Sequence, residues 1–392
     1  MELAMPKSVA YLIQFATWTS FIAVAMLNSE WQKSAHSRLM VGSLVFFFIV
    51  ACISAEVTMT TSFFNLGLLY ALVSFYVALL FVVLSSIRIT SLPTPILLGT
   101  ITVAGLLLGS GGILQQLSII RLPGDTSAGA SIADSILRPS STTGSYLHYP
   151  ITLALLAVCM LEISVKRKST VYLAIAVFEF ACVIVSLSRS GTLILLGAVA
   201  IYVARLLWRA DLASKLVLAV AVGIVAVTGL LASQSAESIF ITRILNAADT
   251  TAPGNLGRID AWQGAFEKFS HSNLLVGEYT GLYTNVTANL ADTEPSVVES
   301  SVLQQLINFG LLGVLSFYLL FISVFIRIDK SCAWLRAGAL AAILESAVYQ
   351  SIEAFPFIII YSLLPQIAFA IGIAGPEPLK TVTYPVEPAS AR

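Results

Sequence analysis

An all-α bundle of membrane-spanning helices is the fold this sequence predicts, and three observations predict it. Apolar residues make up 57% of the 392 and charged residues only 11%, against roughly 45–50% and about 25% in soluble domains. The apolar residues gather into eleven runs, each close to the ~20 residues that carry a helix across a bilayer. The runs are too long and too uniformly apolar for strands, and lipid tolerates only helices or closed barrels. Water-soluble enzymes and disordered scaffolds are excluded on the same grounds. Lys+Arg and Asp+Glu both number 21, so no polyanionic partner is implied and nucleic acid is not among the expected ligands.

In chain order the runs fall at 9–27, 39–54, 63–84, 93–114, 150–165, 171–187, 191–208, 216–232, 302–326, 337–352 and 355–374. The first is longer than the apolar core of a signal peptide and is kept as a span, so the expectation is eleven or twelve spans. The positive-inside rule orients them. Loops with Lys33, Arg38, Arg88, Lys166 to Lys168, Arg205, Arg209, Lys215, Arg327, Lys330 and Arg336 fall on one side, with Lys380 and Arg392 of a tail at 375–392. That side carries fourteen basic residues and the other seven, so the first is cytoplasmic. The whole chain reads as one polytopic membrane domain, 1–392, with outer loops at 115–149 and 233–300. The second loop is too long for a passive connection. Within it Ile259 to Phe269 has helical spacing, with Trp262, Phe266 and Phe269 on one stripe and Asp260 and Lys268 placed to suit the helix dipole. Such a helix either lies on the membrane surface or covers the bundle. No internal repeat at a fixed period supports an inverted-repeat transporter.

Where charge is this scarce, ionisable groups at membrane depth point to function. Arg189 stands between two spans in Ser188-Arg189-Ser190-Gly191. It either neutralises something anionic or snorkels to lipid phosphate. Glu179 lies mid-span, and Glu345 and Glu353 are eight residues apart with Tyr349 midway, roughly on one helical face. An arginine partner is expected for each ahead of a catalytic role. Glu162, four residues before Lys166, reads as an interfacial ion pair. Arg243 and Arg258 in the long loop suit a diphosphate, because the guanidinium fork contacts phosphate oxygens in pairs. Glu299, just before a span, is a carboxylate at the water–lipid boundary and the first candidate for a general base. Alternatively Glu299 or Ser300 merely caps the following helix. His36, His148 and His271 are scattered, no metal or cofactor motif is present, and the four cysteines read as small hydrophobes.

Four segments in order resemble the O-antigen ligase and O-antigen polymerase superfamily. They are Arg138 to Pro150, Ser188 to Gly191, Gly257-Arg258-Ile259-Asp260-Ala261-Trp262, and Asn308-Phe309-Gly310-Leu311-Leu312-Gly313. The resemblance implies a membrane glycosyltransferase of the polymerase (Wzy) type in the bacterial inner membrane, working on its periplasmic side. Such enzymes use undecaprenyl-diphosphate-linked glycans without a metal or cofactor and with inversion, commonly alongside a partner that sets chain length. Membrane lipids are the other implied partners. The family's two diphosphate-binding arginines carry over to Arg189 and Arg258. The ligases' histidine does not carry over: its position falls in Val298-Glu299-Ser300-Ser301, and the later Gly-x-Gly is altered to Gly277 through Gly281. Arg189, Arg258 and Glu299 are therefore the catalytic candidates. Arg243, Arg138, His148, His271 and Tyr279 are the substrate-binding ones, with Trp262 and Tyr283 as stacking aromatics. A ligase acting on lipid A core, or a secondary transporter, remain the alternatives.

Overall fold

The computed structural model describes residues 30–31, 35–57, 64–88, 94–117, 119–120, 139–143, 145–186, 188–209, 253–278, 284 and 298–373. Ten α-helices account for nearly all of them. The helices are α1 (Ala35–Val57), α2 (Phe64–Ser86), α3 (Thr94–Gln116), α4 (His148–Arg167), α5 (Thr170–Val185), α6 (Arg189–Arg209), α7 (Pro253–His271), α8 (Ser301–Arg327), α9 (Ala333–Val348) and α10 (Phe355–Ile373). Outside the helices, Glu30–Trp31 pairs antiparallel with Ile87–Arg88, which ties together two loops expected on the cytoplasmic side.

Seven of these helices are long and apolar enough to cross a membrane, and α5 is a shorter apolar helix. The count is lower than the eleven or twelve spans expected, for two reasons. The runs at 9–27 and 216–232 lie outside the described residues, as do the tail at 375–392 and much of both outer loops. In addition α5 and α9 are sixteen residues each, about 24 Å of helix, short of the ~30 Å hydrocarbon core. Helix α9 stops at Val348, before the run at 337–352 ends, because the next residues bond elsewhere. The Ser301 hydroxyl donates to the Tyr349 carbonyl at 3.0 Å and accepts from the Ser351 and Ile352 amides at 3.0 and 3.2 Å. Glu353 therefore lies beyond the helix, and the shared face expected for Glu345, Tyr349 and Glu353 does not form.

Helix α4 is apolar all round and sits at the centre: 83% of its span is buried, against 28% for α3 and for α6. The other helices turn one face to the core and another to lipid, as the outward Val45, Phe48, Val103, Leu107, Val171 and Val177 show. Between α1, α2, α8 and α10 an aromatic cluster fills the interior. In it Tyr70 stacks on Phe309, and Phe81 packs on Phe321 and Tyr361.

Helix α8 is broken in its middle, and the break decides where α7 sits. Gly310 has φ +65°, a left-handed conformation that only glycine adopts at low cost. A break at membrane depth frees backbone groups that lipid cannot satisfy, and here each finds protein. The Leu311 and Leu312 amides donate to the Leu274 and Leu275 carbonyls at 3.0 and 3.1 Å, while the Glu278 amide donates to the Ile307 carbonyl at 2.7 Å. The Ser54 hydroxyl donates to the Asn308 carbonyl at 2.9 Å. The Asn-Phe-Gly-Leu-Leu-Gly signature is thus a socket for the strand of backbone that follows α7.

Candidate functional site

The socket at Gly310 fixes the end of α7, and apolar packing fixes the rest. Trp262, Ala265 and Phe269 turn inward against Leu303, Leu306 and Ile307 of α8. The predicted stripe is therefore split: Phe266 points outward and is 59% exposed, while Ala265 takes the inner place. Of the two readings offered for this helix, covering the bundle describes the inner face. The helix also begins earlier than Ile259, at Pro253, a residue suited to a first helical position. Asp260 accordingly lies beyond the first turn, whereas Lys268 stays in the last turn and pairs with Glu278 at 3.4 Å.

This docking brings Arg258 to Glu299. The Arg258 Nε donates to Glu299 Oε2 at 2.7 Å, and its Nη2 bonds the same oxygen. The guanidinium also lies over the Tyr349 ring, 4.9 Å from its centre, a cation–π arrangement. Burial disfavours the Arg258 charge, but Glu299 and Tyr349 more than offset it, so its pKa rises above the ordinary arginine value. The cap of α8 is Ser300, whose hydroxyl accepts from the Leu303 amide at 3.2 Å and donates to the Ala347 carbonyl at 2.7 Å. Glu299 is left to the arginine. The junction of α8 and α9 is hydrogen-bonded shut around Ser300 and Ser301, so the carboxylate stands on a rigid support.

Arg189 opens α6 on the same side. Its neighbours Ser188 and Ser190 bond each other at 2.9 Å. Gly191 allows the turn to press on α4, because a Cβ there would stand 2.7 Å from the Pro150 carbonyl oxygen. The two guanidiniums, Arg189 and Arg258, both act electrostatically on the Tyr349 hydroxyl. Arg258 and Glu299 thus meet at Tyr349, and Arg189, beside the cleft-lining Ser190, lies within electrostatic reach of the same tyrosine. Ser190, Glu299, Glu345 and Tyr349 line a cleft here, with Leu147 and Ile151 as its apolar wall. Its cavity is about 10 Å³, roughly what one water occupies.

Of the remaining substrate-binding candidates, the described ones do not line this cleft, although His148 borders it. His148 is the first residue of α4, next to Leu147. His271 sits at the far end of α7, exposed, with Nδ1 at 2.8 Å from the Glu267 carbonyl. Thirteen residues of helix, roughly 20 Å, separate it from Arg258. Arg138, Arg243, Tyr279 and Tyr283 lie outside the described residues. Glu179 and Glu345 are fully buried, and among the described residues no arginine bonds either of them. Glu179 instead packs against Gly105 of α3. Glu162 is buried rather than interfacial, and its carboxylate accepts from the Trp334 amide at 2.7 Å, capping α9. Among the described residues no group of His, Cys, Asp and Glu converges as metal ligands do.

Sequence reasoning missed the role of Tyr349, although its place between two intramembrane glutamates drew attention to the segment. It also missed the break at Gly310, whose only sign was a glycine pair in mid-span.

Residues 172–318 match a family model described as O-antigen ligase. The match takes in Arg189, Arg258, Glu299 and the socket at Gly310, and ends before Glu345 and Tyr349. No curated protein matches the chain.

Proposed function

We propose, from the match of residues 172–318 to a family model described as O-antigen ligase and the resemblance of four segments to the O-antigen ligase and polymerase superfamily, that this membrane enzyme polymerises lipid-linked oligosaccharide repeat units. The donor is the growing glycan on undecaprenyl diphosphate and the acceptor is the next lipid-linked repeat, joined on the periplasmic face. The observation that carries the reading is the Arg258–Glu299 pair over Tyr349, with Arg189 acting on the same tyrosine.

Diphosphate is a good leaving group, so the enzyme's task is to stabilise the charge that develops on it as the glycosidic bond breaks. Arg258 and Arg189 serve that purpose. Arg258 already has an anion, Glu299, and the cavity beside it holds about one water. A diphosphate must therefore take the place of Glu299 on the guanidinium. The displaced carboxylate then has no cation and is free to accept a proton. It takes the proton of the acceptor hydroxyl, whose oxygen attacks the anomeric carbon on the face opposite the diphosphate. The bonding electrons leave with the diphosphate, and the anomeric configuration inverts. Donor binding thus switches on the base, which orders the reaction as donor first, acceptor second.

A glutamate where the ligases' histidine would fall supports polymerase. The description of the matching family favours a second reading, a ligase that transfers finished glycan to lipid A core. A secondary transporter gains nothing from the broken helix, because the break is sealed by the 274–278 backbone. A deletion strain separates the first two readings on a gel. Loss of the polymerase leaves core carrying a single repeat, whereas loss of a ligase leaves unattached lipid-linked polymer. In the polymerase case Glu299→Gln at normal expression abolishes the ladder, and an unchanged ladder removes Glu299 as the base.

A further inference from the structure

A second cleft lies between α6, α8 and α9 at their ends away from Glu299. Along α6, fifteen residues separate Ser190 of the Glu299 site from Arg205 of this cleft, roughly 22 Å of helix. The cleft is the larger, about 120 Å³, several times the space one water needs. Arg205 and Arg336 stand in it, and Ile201, Phe325 and Leu340 give it an apolar wall. Tyr202 stacks face to face on Trp334 at its edge, 3.9 Å between ring centres.

The two arginines are close enough to oppose one another's charge. Among the described residues neither has a carboxylate partner in hydrogen-bonding range. Arg205 donates to the Lys330 carbonyl at 2.8 Å, and Arg336 donates to the Ile328 carbonyl at 3.1 Å. A guanidinium has five N–H donors, so each fork keeps donors in reserve. Among the described residues two acids act on them only at a distance: Glu162 bonds the Trp334 amide and caps α9, and Asp329 accepts from the Ser331 amide at 2.7 Å. Carbonyls satisfy donors but supply no counter-ion in contact with either guanidinium.

We propose that this cleft binds the phosphate of an anionic phospholipid in the leaflet opposite the Glu299 site. The phosphate bridges Arg205 and Arg336, and the acyl chains run along Ile201, Phe325 and Leu340. Paired arginines suit phosphate oxygens. A stacked aromatic pair suits the headgroup boundary, where one side of a ring is wet and the other apolar. An apolar wall continuous with the cation pair selects a lipid over a free anion, and basic pockets between spans on that side are known to hold acidic headgroups.

The test uses the full chain, purified in detergent and stripped of lipid, with bound lipid counted by intact-complex mass spectrometry and the unfolding midpoint followed by heating. Dioleoylphosphatidylglycerol should bind and raise the midpoint, while dioleoylphosphatidylcholine and inorganic phosphate should not. Each arginine exchanged for glutamine should weaken binding about five-fold, and the Arg205→Gln/Arg336→Gln pair about 25-fold. The Arg205→Lys/Arg336→Lys pair keeps the charge and should bind within about five-fold of the parent. Should the double glutamine chain fail to fold, Arg205→Gln alone carries the test. Equal stabilisation by the two lipids, a full effect from phosphate alone, or undiminished binding by the glutamine variants would overturn the proposal.

Discussion

Both ends of α6, α8 and α9 are built around arginine, and the two ends answer its charge in different ways. At one end Arg258 is held by a carboxylate and a ring, so its charge is matched within the protein. At the other, Arg205 and Arg336 each donate to a backbone carbonyl and Arg336 lies over the Phe325 ring at 4.4 Å, but among the described residues no carboxylate bonds either one. An arginine matched by a carboxylate releases that carboxylate only in exchange for another anion, which makes the pair a switch. An arginine matched by carbonyls attracts an anion without displacing anything, which makes it a standing site. On the two proposals above, the same residue type does transient work at one face and resident work at the other.

The largest way to break this comparison is Arg258→Ala. It removes the cation expected to receive the diphosphate, and transfer from purified lipid-linked donor should fall by about 10³-fold, the scale of losing one transition-state donor. Glu299 also loses its partner, but at 35% side-chain exposure water can reach it, so the protein should still fold. Wild-type rates from a well-folded Arg258→Ala chain would reduce the pair to a surface ion pair, worth about 0–1 kcal/mol.

Next comes the socket that delivers Arg258. Alanine at Gly310 meets both a left-handed backbone and a collision with the Leu275 backbone. Strain of this kind costs about 1–3 kcal/mol by itself, and with the collision the loss should reach about 3 kcal/mol or more. Unfolding in detergent should show it as a lowered midpoint. If the midpoint holds while transfer falls, the socket serves to position Arg258 rather than to stabilise the bundle.

How far the sequence told this story follows from what each signal measures. Apolar composition reports burial or lipid contact, so the helices around Leu153, Val82 or Ile194 were legible from their runs alone. The end of α9 was not, because Tyr349 is halted by a serine 48 positions away, and periodicity carries no information about a distant hydroxyl. The arginines were legible through their scarcity in an apolar chain. Their partners were less so: Glu299 was read as a base in its own right, and only the docking of α7 shows that Arg258 occupies it. The break at Gly310 was hidden because leucines follow the glycine, and an apolar run looks the same whether its helix is whole or interrupted.

The smallest effect sharpens the comparison most. Glu345 lines the same cleft as Glu299, yet it is fully buried with no cation bonded to it among the described residues, whereas Glu299 is half-buried and holds an arginine. A buried carboxyl that neutralises nothing has little to lose when its charge is made impossible. Glu345→Gln keeps the shape and should cost no more than about 1 kcal/mol of stability and leave the glycan ladder intact. Glu299→Gln, by contrast, removes the counter-charge of Arg258 and abolishes the ladder. If Glu345→Gln costs as much as Glu299→Gln, the two carboxyls act together and Arg258 alone does not define the switch. If only Glu299→Gln costs, depth decides the division of labour: the accessible carboxylate exchanges its cation with substrate, and the buried one fills space beside it.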